Sequence, residues 1–266
     1  MLPEENVFGH SKKLRLIRES LARLREELGR PLEILDVGCG NGSAVTRFLP
    51  QAGDRVLGVD EHAESIEYAC RHFASGALDF RHQGAEGVFS EGRLYDAIVF
   101  ADVLEHLRHP QKLLDRGSKR LGPRGAILVT VPNGWGPFEI ESWLSRVPLV
   151  GSTSLWLVDH FVAVLNRFVL TGAWTRVVVD PDEVPYNLDS GHVQFFTRRR
   201  LLALARQSGF ELRRFCNLSW LSGPFTNSLF APSRRFCDWN TRVADRLPPA
   251  AVSAWFLELR KPENVA

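Results

Sequence analysis

Apolar residues recur at Leu14, Ile17, Leu21, Leu24 and Leu28. A spacing of three or four predicts an amphipathic helix over Ser11–Leu28, stopped by Gly29. Short apolar runs then alternate with helical stretches. The pattern predicts strands at Glu33–Val37, Arg55–Val59, Leu78–His82, Tyr95–Ala101 and Ala126–Val131. It predicts helices from Gly42 to near Pro50, over Glu61–Ala74 and over Pro110–Leu121, the last with proline in its first turn. Gly122-Pro123-Arg124-Gly125 reads as a turn. Apart from Asp96, Tyr95–Ala101 is a continuous apolar run, as in a strand covered on both faces. Strands alternating with helices predict an α/β, doubly wound parallel sheet built from right-handed crossovers. Ligands of such sheets bind beyond the carboxyl ends of the strands.

The pattern changes after Val131. Residues 132–191 are too long for an ordinary connection and are expected to carry their own helices or a lid. Val158, Phe161, Val162, Leu165, Phe168 and Val169 make one apolar helical face there. Thr197 reads as the N-cap of a helix over Arg198–Ser208 that Gly209 ends. Strands are expected at Phe210–Cys216 and Ala254–Arg260. The resulting division is 1–30 (N-terminal helix), 31–131 (core), 132–191 (helical lid insertion) and 192–266 (the rest of the sheet with an insertion). No repeat or low-complexity tract interrupts it.

Composition narrows the partners. The 266 residues are 44% hydrophobic and 24% charged, with formal net charge +2, so no nucleic-acid partner is expected. The cysteines at 39, 70, 216 and 237 form no C-x-x-C pair. The chain opens Met1-Leu2-Pro3-Glu4-Glu5, unlike a secretory leader, and has no 18-residue uncharged apolar run. A soluble protein of the reducing cytoplasm is expected.

The chemistry concentrates in Ile34-Leu35-Asp36-Val37-Gly38-Cys39-Gly40-Asn41-Gly42-Ser43. A strand feeding a glycine-rich turn brings free backbone N–H groups beside a ligand. A dinucleotide fingerprint needs glycine where Ser43 stands, and a P-loop ending is missing. What remains, D-x-G-x-G-x-G, resembles motif I of the class I S-adenosylmethionine (SAM) methyltransferases. The resemblance covers Leu32 to about Val131 well and Val193 to Phe215 more loosely. It implies a mostly parallel, seven-stranded, Rossmann-like sheet with SAM as cofactor. It also implies that Asp36, Gly38, Gly40, Asn41 and Gly42 belong to the turn against the cofactor's methionine part. Asp60, followed by Glu61, would take the ribose hydroxyls, since a carboxylate accepts two hydrogen bonds from a diol. Ala85 and Glu86, in Gln83-Gly84-Ala85-Glu86, would lie at the adenine, although the aspartate that relatives often carry there is missing. Ala101 and Asp102 end the fourth strand beside the cofactor.

Tyr95-Asp96-Ala97-Ile98-Val99-Phe100-Ala101-Asp102-Val103-Leu104-Glu105-His106-Leu107 resembles the strand-four segment of ubiquinone-type O-methyltransferases. It lacks the Asn/Asp-Pro-Pro-aromatic signature of many base and glutamine N-methylases. His106 is a candidate general base or a histidine that orients the loop. His192, in Gly191-His192-Val193-Gln194-Phe195-Phe196-Thr197, is a second catalytic candidate or a loop residue. Asp102, Glu105 and His106 resemble ligand sets of some relatives, but neighbours in sequence rarely converge on one ion, and no metal is assigned. His10, His62, His72, His82, His109 and His160 read as surface or packing residues. Trp135, Phe138, Trp143, Trp156, Phe161, Phe168 and Trp174 read as a cover over an apolar acceptor, a surface resting on lipid, or the insertion's own core or a homodimer contact. Few lysines accompany them, which disfavours strong binding to anionic membrane. The expected reaction is methyl transfer to a small-molecule or lipid-like acceptor, at oxygen. N- or C-methylation and a non-catalytic SAM binder stay open, and Ser43 disfavours a NAD-dependent oxidoreductase.

Overall fold

Alternate residues of the central strands face opposite sides of a sheet, and the packing divides accordingly. Leu35, Val37, Leu57, Val59, Ile98 and Phe100 join one apolar cluster. Ile34, Val56, Ala97, Val99 and Leu128 join the other. A sheet buried on both faces needs helices on both. The computed structural model describes residues 9–51, 53–147, 191–230 and 233–262, with positions 153, 156, 157, 160 and 185. Its chain order is α1 (His10–Leu28), β1 (Glu33–Val37), β2 (Arg55–Asp60), α2 (Ala63–Phe73), β3 (Leu78–His82), α3 (Ala85–Ser90), β4 (Tyr95–Ala101), α4 (Pro110–Arg120), β5 (Leu121–Pro132), α5 (Pro137–Arg146), α6 (Arg198–Gln207), β6 (Glu211–Asn217), α7 (Pro224–Phe230), α8 (Arg234–Ala244) and β7 (Ala254–Arg260).

The seven strands lie in the order β3-β2-β1-β4-β5-β7-β6. The first five run parallel, and β7 runs antiparallel to both β5 and β6. Leu16, Ile17, Leu21 and Leu24 of α1 and Ile66 and Ala69 of α2 pack on one face. Val88 and Phe89 of α3, Leu113 and Leu114 of α4, and Leu201 of α6 cover the other. Each such buried side chain contributes roughly 1.5–3 kcal/mol. β2, β1 and β4 are adjacent and parallel in this sheet, so their carboxyl ends open together.

Most sequence-derived boundaries agree with the structure to within a residue or two. One helix does not form: after Gly42 there is only a 3-10 turn, Thr46–Phe48. Asn41 accepts hydrogen bonds from Ser43 N and Oγ, and Thr46 Oγ1 donates to Asp36, so side chains compete with a regular helical ladder. The next helix starts at Ala63 rather than Glu61, because Asp60 accepts from His62 N and His62 caps it. The expected turn at residues 122–125 is instead an irregularity inside β5. There the pairing jumps from Tyr95↔Leu121 to Ala97↔Ala126, and Arg124 takes a φ of 59°.

Of the insertion, α5 is described. The apolar face from Val158 to Val169, together with Trp174, lies outside the described residues. Trp135, Trp143 and Trp156 are 73%, 66% and 61% exposed, so these three do not form a small core of their own.

Candidate active site

Beyond β1 the chain turns through Gly38, Gly40 and Gly42 at φ of 73°, 54° and 72°. Glycine adopts this left-handed conformation at little cost. Gly38 faces a second constraint, since a Cβ there would lie 2.6 Å from Val103 Cγ2. Gly38 N and Cys39 N both donate to Val59 O of β2, at 2.8 and 3.1 Å. Asp60 closes the turn from the next strand. Its Oδ2 accepts from Gly40 N and its Oδ1 from His62 N, each at 2.8 Å. Two of the four lone pairs of an ionised carboxylate are thereby used, leaving capacity for a diol.

This turn borders an open cavity of about 550 Å³, within the range of roughly 300–1,000 Å³ usual for small-molecule sites. Of the residues singled out in the sequence, Gly38, Asp60, Glu61, Ala85, Glu86, Asp102 and His106 line it. Arg108, Lys112 and Arg116 form its far rim, and Arg116 pairs with Glu86 at 2.6 Å. Asp36, Gly40, Asn41, Gly42 and Ala101 stand outside the lining. Asp36 is buried beneath the turn on Thr46, and Asn41 spends its side chain on Ser43 and Pro185 O. Their observed work is to shape the turn.

Asp36 Oδ1 has no hydrogen-bond partner among the described residues. Burial pushes its carboxyl up to about 7, with Asp60 adding to the rise and Thr46 and Lys13 opposing it. An unfolded aspartate titrates near ~3.9, so the folded state holds this proton longer. The associated stability is complete below about pH 4 and is lost as pH rises through about 7. Asp36→Asn keeps an oxygen for Thr46. It should match the parent at pH 3.5 and exceed it at pH 8 by on the order of 3 kcal/mol. Denaturant melts at both pH values check this, and an unchanged pH dependence would count against it.

Asp102 directly follows β4 at φ 57°, in a region non-glycine residues rarely enter. Thr130 Oγ1 donates to its Oδ1 at 2.8 Å, and Lys13 Nζ of α1 donates to its Oδ2. Burial alone would raise the Asp102 carboxyl; Lys13, Thr130 and His10 outweigh it and hold it below the usual range. Asp102 and His106 also line a second cavity of about 180 Å³. Lys13, Phe138, His192 and Leu218 contribute to that wall. The two cavities therefore share a partition.

The structure brings His106 and His192, 86 positions apart in sequence, together with ring centroids 5.0 Å apart. His106 Nδ1 lies 3.3 Å from Gly191 O, and His192 Nδ1 lies 2.7 Å from Glu139 Oε1. Val193 N and Gln194 N both donate to Glu105 O, which ties the two histidine loops. Glu105 itself is buried, and burial, with Asp102 and Glu139 adding, pushes its carboxyl well up. Ligand atoms of Glu105, His106 and His192 lie within 4.8 Å of one another. Burial disfavours the charged form of Glu105 and so opposes its service as a cation ligand. Sequence reasoning missed Lys13 and Glu139. Neither carries a local signal, because each meets its partner only through the tertiary fold. His10, read as a packing residue, does pack: its Nε2 lies 2.8 Å from Ala44 O behind the turn.

Residues 8–214 match a family described as a methyltransferase domain. The chain belongs to that family. Family and fold together are those of the class I methyltransferases. A ubiquinone biosynthesis O-methyltransferase of Bartonella tribocorum is 32% identical to this methyltransferase over 111 residues, 40% of this chain. The match spans 44% of that relative, less than half its length. In fold, the methyltransferase is similar to N-methyltransferase NodS from Bradyrhizobium japonicum WM9. That likeness has a TM-score of 0.50 at 16% identity, over 95% of this chain and 98% of that one. It is also similar to the [4+2]-cyclase SpnF, with a TM-score of 0.54 at 16% identity, over 92% and 80% of the two chains. Shared fold thus does not decide the chemistry. Among the described residues no helix is long and apolar enough to cross a membrane.

Proposed function

We propose that this methyltransferase moves a methyl group from SAM to a hydroxyl oxygen of a small acceptor with an apolar body. The observation that carries the proposal is the shared partition. Asp102 and His106 border both the large cavity and the small one, and His192 stands in the small one. The larger cavity would hold the cofactor, with Gly38 against its methionine part, Asp60 on the ribose and Ala85 and Glu86 near the adenine. Glu61 adds a carboxylate beside Asp60 at the end of the cavity assigned to the ribose. The acceptor would enter the smaller cavity, where Pro132, Phe138, Leu218 and Ala254 offer an apolar wall.

Bound there, SAM supplies an electrophilic methyl carbon on a sulfonium sulfur. The protein's part is to align the oxygen, exclude water and remove one proton. His106 and His192 are the groups placed to receive that proton. The name of the matched relative supports oxygen as the acceptor atom, and a quinone precursor is the acceptor class it favours. The cysteines at 39, 70 and 216 are thiols outside any disulfide, which supports a reducing, cytoplasmic setting.

The test offers methyl-labelled SAM with phenols and catechols bearing short or long apolar tails, and with the matching anilines. Mass spectrometry then locates the label. O-methyl ethers are expected, with tailed acceptors preferred. Methylation of the anilines alone would overturn the oxygen reading.

A further inference from the structure

We infer that Glu61 determines the choice of base: its carboxylate accepts a hydrogen bond from the exocyclic amine of the cofactor's adenine. This rests on the reading above that the larger cavity takes SAM, and it assigns the Glu61 side chain to the base rather than the ribose. Glu61 directly follows Asp60 at the end of β2. Gln83 N donates to Asp60 O at 3.0 Å, so the chain passing from β3 to α3 runs alongside. The main chain of Glu61 is held there too, with its carbonyl oxygen 2.9 Å from His82 Nε2. Its side chain then crosses Gly84. A Cβ on Gly84 would overlap Glu61 Oε1 and would lie 3.2 Å from Cδ and 3.3 Å from Cγ.

The backbone of Gly84 does not call for glycine. Its φ of −73° and ψ of 160° are open to any residue. What a side chain there would displace is the Glu61 carboxylate. That carboxylate has no hydrogen-bond or ion-pair partner among the described residues. The other polar side chains at this end of the cavity are engaged. Gln83 Nε2 donates to Glu91 Oε1 at 3.0 Å, and Glu86 pairs with Arg116 at 2.6 Å. Asp60 accepts from Gly40 N and His62 N.

A carboxylate accepts hydrogen bonds and donates none, so it selects a ligand that brings a donor. A ribose held at Asp60 presents its base to the next stretch of wall, which Glu61, Gly84 and Ala85 form. The donor that adenine offers on its edge is the 6-amine. A 6-oxo purine puts a carbonyl oxygen at that position, and two acceptors then face each other with neither satisfied. A site built to accept from an amine rejects such an analogue for that reason. Gly84 and Glu61 thus act as a pair, the one clearing the space that the other fills.

The experiment titrates the full chain calorimetrically with S-adenosylhomocysteine and with S-inosylhomocysteine, in which a carbonyl replaces the 6-amine. The parent should bind the adenine form roughly 10- to 100-fold more tightly, the span of one hydrogen bond to a charged group. Glu61→Ala should reduce that ratio about tenfold or more. Glu61→Gln should reduce it further, because an amide can donate to the carbonyl. Gly84→Ala displaces the carboxylate while leaving Glu61 in place, so it should lower the ratio as well. Added to Glu61→Ala, it should change the ratio no further. Both ligands meet the same protein, so an unfolded fraction lowers the stoichiometry and leaves the ratio intact. A purely structural role for Glu61 would weaken both ligands alike. A ratio in Glu61→Ala within about twofold of the parent's, with both ligands bound, overturns the inference alone. If neither ligand binds the parent, the cofactor reading fails and the inference falls with it.

Discussion

Replacing His192 with alanine is expected to lower kcat for O-methyl transfer roughly 10³-fold, within the usual range for removal of a general base. Cofactor affinity should change less than about twofold, because His192 borders only the smaller cavity. The expected split between kcat and cofactor Kd separates this role from a structural one. A histidine that merely closed the loop would disturb both, since Val193 N and Gln194 N next to it hold the segment to Glu105 O of the other loop. His106→Ala should weaken cofactor binding more than His192→Ala does, as His106 stands in both walls. Equal cofactor affinities in the two variants would contradict that placement.

Asp60→Ala should weaken SAM binding about 100-fold. Two hydrogen bonds from a diol to a carboxylate are charge-assisted and contribute roughly 1.5–3 kcal/mol each; the low end, about 3 kcal/mol together, corresponds to slightly more than a hundredfold. A second consequence adds to the first. The same carboxylate holds Gly40 N and His62 N, so its loss loosens the glycine turn and the start of α2 together. Asp60→Asn keeps one acceptor oxygen and should fall between parent and alanine. Calorimetric titration of the three proteins checks the order, and an alanine variant within threefold of the parent would remove Asp60 from the site.

The sheet was legible because its signals are local. A short, mostly apolar run such as Tyr95–Ala101 between helical stretches fits a strand with cover on both faces, and Gly38, Gly40 and Gly42 mark a turn whose backbone angles other residues resist. The pairing of β7 between β5 and β6, antiparallel to both, was not legible. It depends on where α7 and α8 return the chain, and that is a tertiary choice. The failed helix after Gly42 has a similar cause: Thr46 turns to the buried Asp36, a contact no helical period reports.

The site divides along the same line. Asp60 ends a strand beside the glycine turn and could be found by spacing. Asp36 and Asn41 carry the same motif yet serve the turn from behind, because one is sealed under it and the other is spent on Ser43. Lys13 reaches Asp102 from the N-terminal helix and Glu139 reaches His192 from the insertion. Complementary charge brought from distant segments leaves no periodic trace in a single sequence.

The central claim is that the 550 Å³ cavity at the ends of β1, β2 and β4 takes the sulfonium cofactor. Titration of the parent protein with SAM, and separately with NAD, tests it most directly. The account predicts one SAM per chain, with saturable heat, and no measurable binding of NAD. Saturable NAD binding with none of SAM would contradict it.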